Sequence, residues 1–134
     1  MRSGPSQKKI TALLPPRTNV EIPKGADERV RWVSEWLRRS SLGRPVRIED
    51  IARSVHMSSS HLRHLFRSEV GLSPSRYVKL LRLEKAKYLI GNSFLEVKEI
   101  AAAVGFGDVS HFVRDYKSLY GERPSQTRTR RKAG

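Results

Sequence analysis

The residues best suited to chemistry in this chain are four histidines, a run of serines, and an excess of arginine and lysine. His61 and His64 stand three apart, a helical spacing that could supply two corners of a metal site. His56 and His111 lie elsewhere, and no third ligand has supporting spacing. The chain contains no cysteine, which excludes thiolate metal ligands, disulfides and cysteine nucleophiles. Hydrolytic patterns fare no better: there is no Gly-x-Ser-x-Gly, no His-Glu-x-x-His and no phosphate-binding glycine loop. The Ser58–Ser60 run is explained by helix capping. No enzyme, cofactor or metal is expected.

Guanidinium and ammonium groups remain. Lys and Arg number 27 against 13 Asp and Glu, giving a formal net charge of +14. Such a density predicts a polyanionic partner, and double-stranded DNA is the default. A membrane surface competes poorly, because the basic residues are spread over several helical segments instead of forming one amphipathic stripe. No apolar run is long enough to span a bilayer, and Ile10–Leu14 is too short for a signal-peptide core. A cytoplasmic location is expected, with no small-molecule site evident.

Those cations need elements to position them. Val97, Ile100, Ala101 and Val104 recur at helical spacing and define one buried face. Gly105 and Gly107 then break the chain, and Asp108 is placed to cap a second helix. In that helix Phe112, Tyr116 and Leu119 are expected inward, with Ser110, His111, Arg114 and Lys117 outward. This is a helix-turn-helix pattern. It occurs once before. Ile51, Ala52 and Val55 correspond to Ile100, Ala101 and Val104, an offset of 49. Past the turn, His61-Leu62, Phe66-Arg67, Gly71 and Pro74 correspond to His111-Phe112, Tyr116-Lys117, Gly121 and Pro124, an offset of 50. Two copies are too few for a solenoid and suit a pair of reading modules.

The chain divides accordingly. Residues 1–26 read as a flexible basic arm or linker, with Pro15-Pro16 and Pro23 opposing a helix. Asp27 caps a helix whose Val30, Val33 and Leu37 are buried, with Trp32 and Trp36 assigned to core packing in preference to base stacking. The first helix-turn-helix covers about 48–70 and ends at Gly71. Ser73 caps and Pro74 opens a connecting helix over about 74–90, apolar on more than one side. Its length of about 24 Å would suffice to hold two reading helices roughly one DNA turn apart. The second helix-turn-helix covers about 97–120, a short last helix follows, and 129–134 is a basic, frayed tail. The expected fold is all-α: about seven helices in two helix-turn-helix subdomains joined by a long helix.

This arrangement resembles the AraC/XylS family of bacterial transcription regulators. The resemblance runs from about Arg29 to Arg128 and rests on Ile48-Glu49-Asp50-Ile51-Ala52, Met57-Ser58, Leu65-Phe66-Arg67, Gly71-Leu72-Ser73-Pro74 and Ile100 to Phe106. Tyr77, Arg82-Leu83, Ala86, Phe112, Tyr116-Lys117, Tyr120-Gly121 and Pro124-Ser125 complete it. It implies two recognition helices entering adjacent major grooves, and activation through contact with RNA polymerase. The chain departs from the family pattern at Arg47 and Glu96, where Ser or Thr is common, at His64, often Arg, and at Thr127, often aromatic. Most members also carry an effector-sensing domain. The residues ahead of the fold are too few for one, so the chain is expected to be a stand-alone regulator or the reading half of a larger one.

Base readout requires side chains near the start of a recognition helix. The candidates are Ser59, Ser60, Arg63 and His64 in the first copy and Val109, Ser110, His111 and Arg114 in the second. Arg114 can pair bidentately with guanine. Arg63 suits a base or a phosphate, and Val109 a thymine methyl or simple packing. Ser58, Arg67, Lys79, Arg82 and Lys117 are assigned to phosphates, which fix register without carrying sequence information. A basic architectural protein that coats DNA without sequence preference is the alternative function.

Overall fold

The computed structural model describes residues 20–133. Within them are seven helices and no strand: α1 (Glu28–Ser40), α2 (Ile48–Ser54), α3 (Ser59–Val70), α4 (Pro74–Asn92), α5 (Val97–Val104), α6 (Val109–Tyr120) and α7 (Pro124–Ala133). The described chain forms two units, one ending at Arg82 and one beginning at Leu83, so the chain passes from one to the other inside α4.

The first unit starts earlier than expected. Residues 1–19 of the anticipated arm lie outside the described residues, but 20–26 do not behave as an arm. Val20 packs against the core, and the Pro23 carbonyl accepts from the Ala26 amide at 3.1 Å and from Arg31 at 2.8 Å. Asp27 then caps α1, accepting from the Arg29 amide at 2.8 Å. The Arg29 guanidinium bonds the same carboxylate, and together with the amide it brings the Asp27 pKa down to about 2. Glu69, at the end of α3, accepts from the Asp27 amide at 2.6 Å and ties the two helices together.

Val30, Val33, Leu37, Ile51, Ala52, Leu62, Phe66, Tyr77 and Leu81 make the core of this unit. Phe66 and Tyr77 meet edge to face at 5.5 Å, an arrangement favoured by the aromatic quadrupole. The tryptophans are not part of that core. Trp32 is 47% exposed and Trp36 is 37% exposed. Val30, Val33 and Leu37 already occupy the inward stripe, and residues 32 and 36 fall beside it.

In the second unit Ile100, Ala101, Val104, Phe112 and Tyr116 are buried with Leu83, Ala86, Leu89 and Ile90. Leu119, expected inward, is 45% exposed, because Tyr116 and Tyr120 fill the last inward turn with centroids 4.7 Å apart. The last helix is also longer than its sequence suggests. It runs to Ala133, through the segment assigned to a frayed tail.

Both turns repeat at the level of backbone hydrogen bonds. The Met57 amide donates to Ala52 at 2.9 Å, and the Phe106 amide to Ala101 at 2.9 Å. The residue before each must take positive φ, and the copies fill that place differently: Gly105 at φ 109°, His56 at φ 59°. A side chain in the left-handed region costs about 1–2 kcal/mol. Glycine regains most of that cost but loses unfolded-state entropy, so His56→Gly is expected to stabilise the protein by about 0.5–1 kcal/mol. Urea unfolding checks this, and a lower midpoint would show that His56 makes compensating contacts.

Candidate nucleic-acid interface

Each recognition helix begins with a satisfied cap. The Ser58 hydroxyl oxygen accepts from the His61 amide at 3.1 Å, and Asp108 accepts from the Ser110 amide at 2.7 Å. That backbone bond holds the Asp108 carboxyl below its ordinary range, so the cap stays charged and complements the helix dipole. Leu62 and Phe66 anchor the inner side of α3, as Phe112 and Tyr116 anchor α6. The opposite sides follow from the helical repeat. On α3, Ser60, Arg63, His64 and Arg67 are all exposed, with Ser59 half-buried beside them. On α6, Val109, Ser110, His111, Arg114 and Lys117 are all exposed. At the offset of 50, Arg114 corresponds to His64 and Lys117 to Arg67, so the second face carries the guanidinium where the first carries an imidazole.

The cations are only loosely engaged. Arg63 stands 3.6 Å from Glu49, and Arg114 stands 3.6 Å from Asp115. Pairs at such distances made by exposed guanidiniums are worth little, so both guanidiniums are available to a polyanion. Ser58 retains a hydroxyl hydrogen for a phosphate after its oxygen has capped α3. Lys79 is exposed on α4.

Arg82 is a correction. Its side chain is half-buried and donates to the Ser41 carbonyl at 2.9 Å and to the Arg44 carbonyl at 2.5 Å. It staples the α1–α2 loop, and its donors point at main chain instead of a phosphate. Arg128, which the sequence did not single out, does the same in the second unit. It donates to the carbonyls of Ile90 at 3.2 Å, Leu95 at 2.5 Å and Ser93 at 3.2 Å, holding the loop ahead of α5. The sequence offers only a faint signal for either: an arginine in the helix opened by Pro74 or Pro124.

Thr127 also has a definite role. Fully buried, it accepts from the Tyr116 hydroxyl at 2.9 Å and donates to Glu122 at 2.5 Å, and Arg130 closes on the same carboxylate at 2.6 Å. Tyr77 is its counterpart at an offset of 50. One unit therefore docks the helix after its reading helix by ring contact, the other by a hydroxyl relay. At the two positions where family members commonly place a capping hydroxyl, Arg47 makes no side-chain cap bond. At Glu96 the main-chain amide instead donates to Glu99 at 2.7 Å.

Among the described residues no group of three or more His, Asp or Glu is placed to hold a metal ion, and no helix is long and apolar enough to cross a membrane. Residues 51–130 match the helix-turn-helix domain family. The Msm operon regulatory protein of Streptococcus mutans is 35% identical over 89 residues, which is 66% of this chain and 32% of that protein. The chain thus spans about a third of the length of that relative. A probable AraC family transcriptional regulator from Rhodopseudomonas palustris superposes with a TM-score of 0.73 at 33% identity, covering 78% of this chain and 98% of the other. The DNA-binding domain of AdpA, solved in complex with a target DNA, superposes with a TM-score of 0.65 at 25% identity, covering 79% of this chain and 91% of that one. The paired turns, the two basic faces and these matches place the chain in the AraC/XylS family of transcriptional regulators, a family of DNA-binding proteins and not of enzymes.

Proposed function

We propose that this chain is a sequence-specific regulator of transcription that reads double-stranded DNA in the cytoplasm, presenting α3 and α6 to adjacent major grooves. The observation that carries the reading is the recurrence of one exposed polar and basic face, behind one hydrogen-bonded turn, in each unit. Ser59, Ser60, Arg63, His64, Val109, Ser110, His111 and Arg114 meet base edges. Ser58, Arg67, Lys79 and Lys117 meet phosphates. Activation through RNA polymerase is the mode of action the family resemblance favours.

Selection of sites from random duplex DNA tests this. A selected site should bind about 10³-fold or more tighter than random DNA at matched salt. Equal affinity for both would instead indicate a nonspecific coat. Arg114→Ala should cost about 1–3 kcal/mol at the selected site and relax preference at one base pair. Lys117→Ala should weaken all sequences alike and reduce the salt slope by about one. An even loss for Arg114→Ala across sequences would reassign that residue to a phosphate.

A further inference from the structure

The first unit contains a cleft of about 430 Å³ that the DNA reading does not use. It lies between the start of α2 and the start of α4, and its polar lining is Arg47, Glu49, Arg63, Ser73, Ser75 and Arg82. Three guanidiniums and one carboxylate line it, with Glu49 standing 3.6 Å from Arg63 and Asp50 3.8 Å from Arg47 beside the cleft, which leaves a net positive charge. Arg82 is already fixed by the Ser41 and Arg44 carbonyls, so its charge is held in place without further ordering cost. Ser73 and Ser75 bring their hydroxyl oxygens within 3.4 Å of each other. In the first turn of α4, Pro74 has no amide hydrogen, and Ser73 takes the amides of Arg76 and Tyr77. The Ser75 amide is left as a donor without an intrahelical partner, at the positive end of a 19-residue helix. Val46 and Val78 add an apolar wall.

We propose that this cleft binds a phosphate group, using Arg47 and Arg63 as charged donors and the Ser73 hydroxyl and the Ser75 hydroxyl and amide as neutral ones. Guanidinium–phosphate pairs are the strong, geometrically specific kind, and a helix start supplies the complementary dipole. The cleft lies in the size range of small-ligand sites and exceeds what a bare phosphate fills, so a phosphorylated small molecule with a flat or apolar body matches it. A phosphodiester of the DNA strand offers the same group. Arg63 belongs both to this cleft and to the face of α3, so a free phosphorylated ligand would compete with DNA for it; that consequence rests on the reading of α3 proposed above.

The test is a titration of the full chain at constant ionic strength with adenosine monophosphate, inorganic phosphate, uncharged adenosine and a selected DNA duplex. The readouts are the NMR signals of the Ser75 amide and the Arg47 and Arg63 side-chain Nε. Adenosine monophosphate and phosphate should move these signals and adenosine should not. Arg47→Gln combined with Ser75→Ala should weaken the nucleotide about tenfold or more, the size expected from losing one charged and one neutral hydrogen bond. An unchanged thermal melt shows that this variant is folded. Movement of the Ser75 amide and the Arg47 Nε with the duplex alone assigns the phosphate to the DNA strand and supports the site, whereas Arg63 reports on α3 as well. A Ser75 amide and an Arg47 Nε that stay still with every phosphate-bearing probe, or nucleotide affinity unaffected by the double substitution, overturn it. Nucleotide binding without discrimination between selected and random DNA leaves the cleft standing and sinks the regulatory reading instead.

Discussion

Replacing Arg82 with alanine is expected to remove about 3 kcal/mol of stability while leaving the salt dependence of DNA binding unchanged. The Arg82 guanidinium makes charge-assisted hydrogen bonds to Ser41 and Arg44, and bonds of this kind contribute about 1.5–3 kcal/mol each. Burial pushes the pKa of Arg82 down, which offsets part of that gain, yet a guanidinium stays protonated throughout the working range. Alanine would strand the carbonyls and free the loop ahead of α2. For a protein of this size the melting temperature should fall by about 10–20 °C. A phosphate ligand would behave in the opposite way, with a normal melt and a salt slope shallower by about one. A melt within two degrees of the parent would refute the staple.

Lys85 predicts a change of the opposite sign. It lies on α4, fully buried, and desolvation lowers its pKa from 10.5 to about 8. At 1.36 kcal/mol per unit this corresponds to a cost of about 3 kcal/mol for holding the ammonium in the fold. Below pH 8 the group is charged in both folded and unfolded chains, and the cost is carried in full. Between pH 8 and 10.5 the folded chain releases its proton while the unfolded chain keeps it, so stability attributable to Lys85 rises with pH. Lys85→Met, which keeps the volume and removes the charge, should therefore stabilise the protein at pH 7 by at most about 3 kcal/mol, less whatever the polar contacts of Lys85 contribute. The advantage should shrink toward zero by pH 10.5. Denaturant midpoints for both proteins across that range measure it, and an advantage that does not change with pH would assign the effect to packing.

Much of the fold is legible in the sequence because its signals are local. The caps at Asp27, Ser58, Ser73 and Asp108 lie within three residues of the amides they accept from. Gly71 and Gly121 end α3 and α6 at φ 92° and 77°, where glycine is least strained. The inward stripes of α3 and α6 follow the helical period as far as Tyr116. The misses have a common physical origin. Arg82 reaches main chain 38 and 41 residues away, and Arg128 reaches 33 to 38 residues back. No periodicity reports such a reach, and an arginine stapling carbonyls has the same local context as one facing solvent. Trp32, Trp36 and Leu119 read as core in the sequence and lie exposed in the fold, because apolar character does not reveal which stripe has room left for it. The tail reads as frayed for a similar reason, since its basic composition does not show that a helix started by Pro124 and docked through Thr127 runs on to Ala133.

The two latches described above differ in what loosens them. Ring contact between Phe66 and Tyr77 draws on the hydrophobic effect, which fades on cooling and in denaturant. The Tyr116–Thr127–Glu122 relay depends on a carboxylate held below its ordinary pKa by Arg130 and Thr127, so its contribution is present at neutral pH and fades as acid protonates Glu122. One chain thus carries a cold-sensitive clasp at one end and an acid-sensitive clasp at the other.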